Sequence, residues 1–152
     1  MKKQSLISLL LVVVISLGAF AQNKVCDKVF NQYAGKKGFM SVNVPDFPSN
    51  KKGEYVVSSF KALYVEDSIL NKNLNFYNEI VPNLNKKEYE ELMSVKEDKE
   101  GFAILFKKKN KKITEFIIVC GGTNNALIYC SGSMSEDEMN EITKSQLEKL
   151  KK

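Results

Sequence analysis

The chain has no histidine and no tryptophan, and each of its 23 basic residues is a lysine. Without histidine there is no imidazole base, no Ser-His or Cys-His pair and no His-containing metal site. Without arginine there is no bidentate guanidinium clamp for phosphate or carboxylate. Proline is scarce, three in 152 residues, so each one marks a real interruption of regular structure. Cysteine is also scarce, and its odd count of three leaves at least one thiol outside any intramolecular bridge. These absences remove most nucleophilic, redox and metal-dependent chemistries before any motif is considered.

What is present is the composition of one globular domain. Apolar residues make up 43% of the chain and charged residues 27%, which excludes a disordered chain, and the length excludes a second domain. Residues 1–21 read as a secretory signal: Lys2 and Lys3, then an apolar run from Leu6 to Leu17, then Ala19-Phe20-Ala21 as the cleavage site. The run falls short of the roughly 20 residues a membrane span needs. No other long apolar run exists, so no membrane span is expected after cleavage. Removing 21 of 152 residues leaves a domain of 131 at positions 22–152, with 21 lysines against 18 acids. That small excess does not call for nucleic acid. The expected location is outside the cytoplasm, periplasmic or secreted.

Export places Cys26, Cys120 and Cys130 where disulfides form. Cys120 and Cys130 flank the turn Gly121-Gly122-Thr123-Asn124-Asn125. A hairpin centred on Thr123 puts Cys120 opposite Ala126 and Cys130 opposite Phe116, roughly 13 Å apart and beyond disulfide reach. Buried apolar thiols are the simpler expectation, with a bridge from Cys26 to one of them left open.

Hydrophobic periodicity predicts a helix over 24–34, a strand over 39–44, a loop over 45–50 and a strand over 62–65, with 55–60 ambiguous. A helical stripe runs over 69–81 and ends at Pro82. Strands follow at 89–95, 102–107, 113–120 and 126–131, joined by short turns as in an antiparallel meander. Ser135 and Glu138 form a capping box for a last helix, with Met139, Ile142 and Leu147 on its inward side. The fold class is therefore α+β: an antiparallel sheet of a four-strand C-terminal meander plus two earlier strands, with about three helices packed on it.

Two of these strands are apolar on both faces. Ile117 and Val119 alternate with Phe116, Ile118 and Cys120, and Leu127 and Tyr129 alternate with Ala126 and Ile128. Such strands are usually covered on both sides, and with three helices the second side of a six-stranded sheet is a dimer interface, a ligand cavity, or a face covered by the loops and the 55–60 region. Ile117, Val119, Leu127 and Tyr129 are the candidate apolar interaction face.

The segment Phe30-x-x-Tyr33-x-Gly35-Lys36-Lys37-Gly38-Phe39-x-Ser41-Val42 resembles the opening of the domain of unknown function 4252 family, small exported proteins of Gram-negative bacteria. Tyr89-Glu90-Glu91-Leu92-Met93-x-Val95 resembles the family's middle strand, and Gly121-Gly122 its later hairpin. The resemblance covers residues 25–147 and rests on the order of elements. It departs at Pro45 and Pro48, which interrupt the place where the family tends to carry an apolar helical segment. The resemblance implies no established activity and no catalytic residue, and it hints at envelope signalling or stress response.

The remaining charge clusters have plain readings. The lysines at 107–109, 111 and 112 form a hairpin turn whose charge guards an edge. Glu88, Glu90, Glu91, Glu97, Asp98 and Glu100 are strand and turn charges, because neighbouring positions on a strand face opposite ways. Gly121-Gly122 is followed by a strand and not a helix, so it is no dinucleotide fingerprint; a turn with positive φ accounts for both glycines. The sequence nominates no catalytic, cofactor-binding or metal-ligating residue. It is read as an exported, non-enzymatic binding protein whose partner is an envelope protein or a second copy. A small apolar-ligand carrier, or a His-free enzyme using carboxylates or lysine, is the alternative.

Overall fold

A computed structural model of the chain describes residues 23–45, 56–138, 140, 141 and 144. The first helix, α1 (Lys24–Tyr33), starts where expected because the Asn23 side chain accepts hydrogen bonds from the backbone N–H groups of Val25 and Cys26 at 3.1 and 3.0 Å. Strand β1 (Phe39–Val44) lies between Gly38, at φ +87°, and Pro45. Strand β2 (Val56–Val65) joins the ambiguous 55–60 region to the predicted strand. A bulge near Ser58 disturbs its register and accounts for the broken alternation.

The stripe over 69–81 is not one helix. It divides into α2 (Ser68–Asn73), α3 (Phe76–Ile80) and a 3-10 turn, Val81–Asn83. Leu74 and Asn75 are extended, and the Asn75 side chain caps α3 by accepting from the Asn78 N–H at 3.0 Å. An Asn-Leu-Asn step at 73–75 thus offers a second cap in mid-stripe, and local capping outcompetes continuation. The meander follows as β3 (Tyr89–Glu97), β4 (Glu100–Lys109), β5 (Lys112–Gly121) and β6 (Ala126–Met134).

All six strands form one antiparallel sheet in the order β1-β2-β6-β5-β4-β3. The class is α+β, with the C-terminal meander joined to the earlier pair through β6. The β4–β5 turn holds Asn110 and Lys111 both at positive φ, the conformation that matches the twist of a two-residue hairpin. Two of the lysines near it are tied down: Lys107 pairs with Glu88 at 3.6 Å, and Lys108 with Glu90 and Glu136. After β6, residues 136–138 are helical. The capping box forms as read, with the Ser135 N–H donating to Glu138 at 2.6 Å and the Glu138 N–H to the Ser135 hydroxyl at 3.3 Å. The inward positions Met139, Ile142 and Leu147 lie outside the described residues.

The helices α1 to α3 pack on one face of the sheet. There Cys26, Val29 and Phe30 of α1 and Phe76, Tyr77 and Ile80 of α3 meet Leu63, Leu105, Ile117, Val119 and Leu127 in the main core. A second cluster, of Ile104, Phe106, Ile113, Phe116 and Met134, occupies the far face and consists of strand residues. Gly121 does not have the positive φ expected of it; that conformation belongs to Gly122, at φ +115°. Gly121 and its cross-strand partner Gly101 instead form a flat floor on which Tyr77 rests.

Candidate functional site

The four candidate interaction residues lie together, as the register required. Ile117 pairs with Tyr129 and Val119 with Leu127 across β5 and β6. They are, however, on the helix-covered face, between 0% and 3% exposed. The apolar alternation is real on both sides, but it carries no sign saying which side the helices take. These four therefore build the core and offer no surface, and the interaction candidate moves to the far face and its margins.

On the far face the middle strands are buried or half-buried, whereas apolar residues on both edge strands are exposed. Met40 and Val42 of β1 are 46% and 42% exposed, and Met93 and Val95 of β3 are 42% and 52% exposed. The two edges differ in protection. β3 carries Glu90, Glu91, Lys96 and Glu97 and a bulge between Glu91 and Met93, which are the usual guards against strand addition. β1 reads Phe-Met-Ser-Val-Asn-Val, with no charge, no proline and no bulge.

Its backbone orientation follows from the neighbouring bonds. The Val65 N–H donates to Asn125 at 3.1 Å and the Glu66 N–H to Gly38 at 2.9 Å. Alternate residues of an antiparallel strand turn their N–H and C=O groups to opposite sides. Met40, Val42 and Val44 therefore bond to β2, while Ser41 and Asn43 turn theirs outward.

A second, polar assembly sits at the opposite end of the helix-covered face. The register aligns Ser59, Ser131, Glu115, Lys107 and Tyr89 in one row across five strands. Ser59 and Ser131 share a hydrogen bond of 2.6 Å. The Tyr89 hydroxyl donates to Glu115, which is 8% exposed, and the Asn23 amide donates to the same hydroxyl at 2.7 Å. Beside them Lys61 pairs with Asp27 at 2.6 Å and stands 5.4 Å over the Phe30 ring. The Tyr129 hydroxyl is buried facing the Asn23 backbone and, among the described residues, makes no close hydrogen bond.

None of Asn23, Tyr89 and Glu115 was singled out from sequence. A signal existed for Glu115, a carboxylate inside an otherwise apolar strand. Asn23 and Tyr89 carried none, since each is ordinary for its local context.

Burial decides the electrostatics here. The Tyr89 and Tyr129 phenols are pushed up chiefly by burial and further by the Glu115 charge. Cys26 is pushed up by burial, then by Glu115 and Asp27. On the far face, burial raises Cys120 and takes Cys130 to about 11. All three cysteines are free thiols, and the register pairs Cys120 with Ala126 and Cys130 with Phe116 as read.

In each of these groups the folded state holds a proton that the unfolded chain gives up sooner. Stability is therefore intact below the unfolded thiol value and declines as pH rises from about 9 toward the folded values, by up to about 1.4 kcal/mol per unit for each group. The urea midpoint is expected to be markedly lower at about pH 10.5 than at about pH 8. Native thiols are expected to alkylate far more slowly than those of the unfolded chain; equal rates would contradict the burial.

Elsewhere, Glu79 is raised chiefly by burial. It lines a cleft with Lys24, Lys28, Gln32 and Asn83 and, among the described residues, no second carboxylate. The paired raised carboxylates an acid/base enzyme needs are not assembled there. Among the described residues no helix is long and apolar enough to cross a membrane. No curated protein and no solved structure matches the chain. A family model does: it spans residues 33–142, from the last residue of α1 through all six strands into the capped C-terminal segment. The chain thus belongs to the domain of unknown function 4252 family (DUF4252).

Proposed function

We propose that this chain is an exported, non-enzymatic interaction protein of the cell envelope, and that it binds through the β1 edge of its sheet. The observation that supports this is the asymmetry of the two edges: β3 is charged and bulged, whereas β1 is uncharged and regular. An unguarded edge is a template for an added strand. The partner is an extended, uncharged segment of another protein. It pairs with the outward groups of Ser41 and Asn43 and lays alternate apolar side chains beside Met40 and Val42. A homodimer through β1 alone would bury six residues a side, less than the roughly 20 to 30 residues a side of a stable interface, so a heterologous segment fits better.

The test is photo-cross-linking in intact envelopes from a reactive side chain at Met40 or at Val42, with one at Lys111 as control. One protein adduct is expected from both β1 positions and not from Lys111. Ser41→Pro removes an outward N–H that β2 does not use, a change an edge strand tolerates. It is expected to lower the adduct yield at least tenfold while shifting the urea midpoint little. An adduct indifferent to Ser41→Pro, self-adducts alone, or no adduct would each overturn the reading.

A further inference from the structure

The strand ladder slips at one level of the sheet on three neighbouring pairs: at Ser58 between β2 and β6, and at Thr114 between β5 and both β4 and β6. Bulges leave residues outside the ladder and re-aim side chains, and they gather beside binding sites. Here they border a cleft of about 670 Å³ at the end of the helix-covered face. None of its described lining residues belongs to a helix. Small-molecule sites span about 300 to 1,000 Å³. The floor of the cleft is the row Ser59, Ser131, Glu115 and Lys107.

Two opposite charges stand side by side on this floor without pairing. Glu115 and Lys107 are direct cross-strand partners, and such neighbours, about 5 Å apart, are placed to form an ion pair. Instead Glu115 accepts from the Tyr89 hydroxyl, and Lys107 reaches out to Glu88 at 3.6 Å. Tyr89 holds the two apart, because Lys107 also stands 5.9 Å over its ring. Glu115 is 8% exposed, yet among the described residues only one of its carboxylate oxygens is hydrogen-bonded. The other is not sealed in the interior and opens on the cleft. Beside it Ser131 and Ser59 share one hydrogen bond of 2.6 Å, which leaves one hydroxyl proton and several lone pairs to spare.

Charge selects the ligand. A plain amine set on Glu115 would lie against Lys107, and a plain carboxylate set on Lys107 would lie against Glu115. A neutral sugar would leave the buried Glu115 facing no cation. A molecule with ammonium and carboxylate on one carbon meets both, because the two protein charges are one strand spacing apart, about 4.8 Å.

We propose that this cleft binds a free α-amino acid, with its ammonium on Glu115 and the Ser131 oxygen and its carboxylate on Lys107. A lysine has three N–H donors, so Lys107 serves the ligand without releasing Glu88. The adjoining wall, Ser58, Ser59 and Gly132, is small and polar, and the spare hydroxyl proton suits an uncharged polar side chain. The proposal goes beyond the β1 reading and stands without it.

The experiment is an NMR titration of isotope-labelled protein, expressed as the full chain in an exporting bacterial host. L-glutamine, the main probe, is expected to shift the amides of Glu115, Ser131 and Gly132 saturably, with a Kd of about 1 mM or tighter. Glutaramate lacks the ammonium and γ-aminobutyramide lacks the carboxylate. Each is expected to bind about tenfold more weakly. Glu115→Gln should weaken L-glutamine about tenfold and Lys107→Met about fivefold, whereas Lys111→Met should leave it unchanged.

No saturable shift with L-glutamine, L-serine or glycine would overturn the proposal. So would an analogue binding as tightly as L-glutamine, shifts confined to residues outside the cleft, or equal affinity in Glu115→Gln. Should Glu115→Gln not fold, the two analogues on the wild type and Lys107→Met, at a side chain 32% exposed, still decide.

Discussion

Gly121→Ala is expected to cost about 3 kcal/mol or more, a large part of the 5 to 15 kcal/mol that holds a typical domain together. The expectation comes from the distance between α3 and the sheet. A β-carbon at position 121 would lie 2.6 Å from the Tyr77 backbone nitrogen and 2.7 Å from the Tyr77 β-carbon, where comfortable contact needs about 3.5 to 4.0 Å. The nearest obstacle is the Asn75 side-chain oxygen that caps α3, and immediately behind it stands the Tyr77 backbone, which cannot rotate away, so α3 has to lift by about an ångström. Lifting it loosens Phe76 and Ile80, both fully buried against β4 and β5. The same helix cannot move toward its other side, because Phe76 stacks on Tyr33 of α1 at 5.6 Å.

A matched control is Gly35→Ala, which meets nothing within 4 Å but sits at φ +78°. Its cost is expected to be about 1 to 2 kcal/mol, the conformational term alone. Urea unfolding of the two variants checks the ranking. Equal costs would mean that backbone conformation, and not the approach of α3, governs position 121. Gly101→Ala should behave like Gly121→Ala, and the double variant should cost less than the sum, since both press on the one tyrosine.

This contact was not legible in the sequence, and the reason is instructive. A glycine pair after a strand reads as a turn, and Gly122 is one. That Gly121 serves a helix packed from elsewhere in the chain depends on tertiary placement. Strand β1 was legible to the residue because Gly38 and Pro45 punctuate both ends, and the meander was legible because its turns are short and polar. The 69–81 stripe misled because Leu70, Leu74 and Tyr77 keep helical spacing through a break that the asparagines at 73 and 75 create. The apolar pattern on β5 and β6 showed that both faces are covered but not in which order, so Ile117, Val119, Leu127 and Tyr129 were assigned outward when they face the helices. The unguarded edge could have been seen earlier. A strand of six uncharged residues in a chain that is 27% charged stands apart from the other five strands, each of which holds at least one lysine or glutamate except β6, which the sheet order places inside.

The other large effect is expected at Asn125, where substitution by alanine should cost about 3 to 5 kcal/mol. Asn125 is 3% exposed and joins four parts of the chain. Its side-chain carbonyl accepts from the Phe76 N–H at 2.8 Å, starting α3. Its side-chain N–H₂ donates to the Gly122 and Asn71 carbonyls at 2.9 and 3.0 Å and reaches the Leu74 carbonyl at 3.2 Å. Its backbone N–H donates to the Asn71 side chain at 2.8 Å, and its carbonyl accepts from Val65.

Alanine keeps the two backbone bonds and orphans the rest, and each buried unsatisfied group costs about 1 to 3 kcal/mol. Asn125→Asp separates the donor role from the acceptor role. The aspartate still accepts from Phe76 but turns a negative charge on the carbonyls of Gly122, Asn71 and Leu74. Its folded pKa is therefore raised, and the proton it prefers is lost by the unfolded chain near pH 3.9. Stability is retained below that value and falls as pH rises above it. Asn125→Asp is thus expected to gain on the wild type as pH is lowered from about 7 to about 4, whereas Asn125→Ala should keep a constant deficit. If both variants track the wild type across that range, the side-chain donors of Asn125 are not what binds α2 and α3 to the turn before β6.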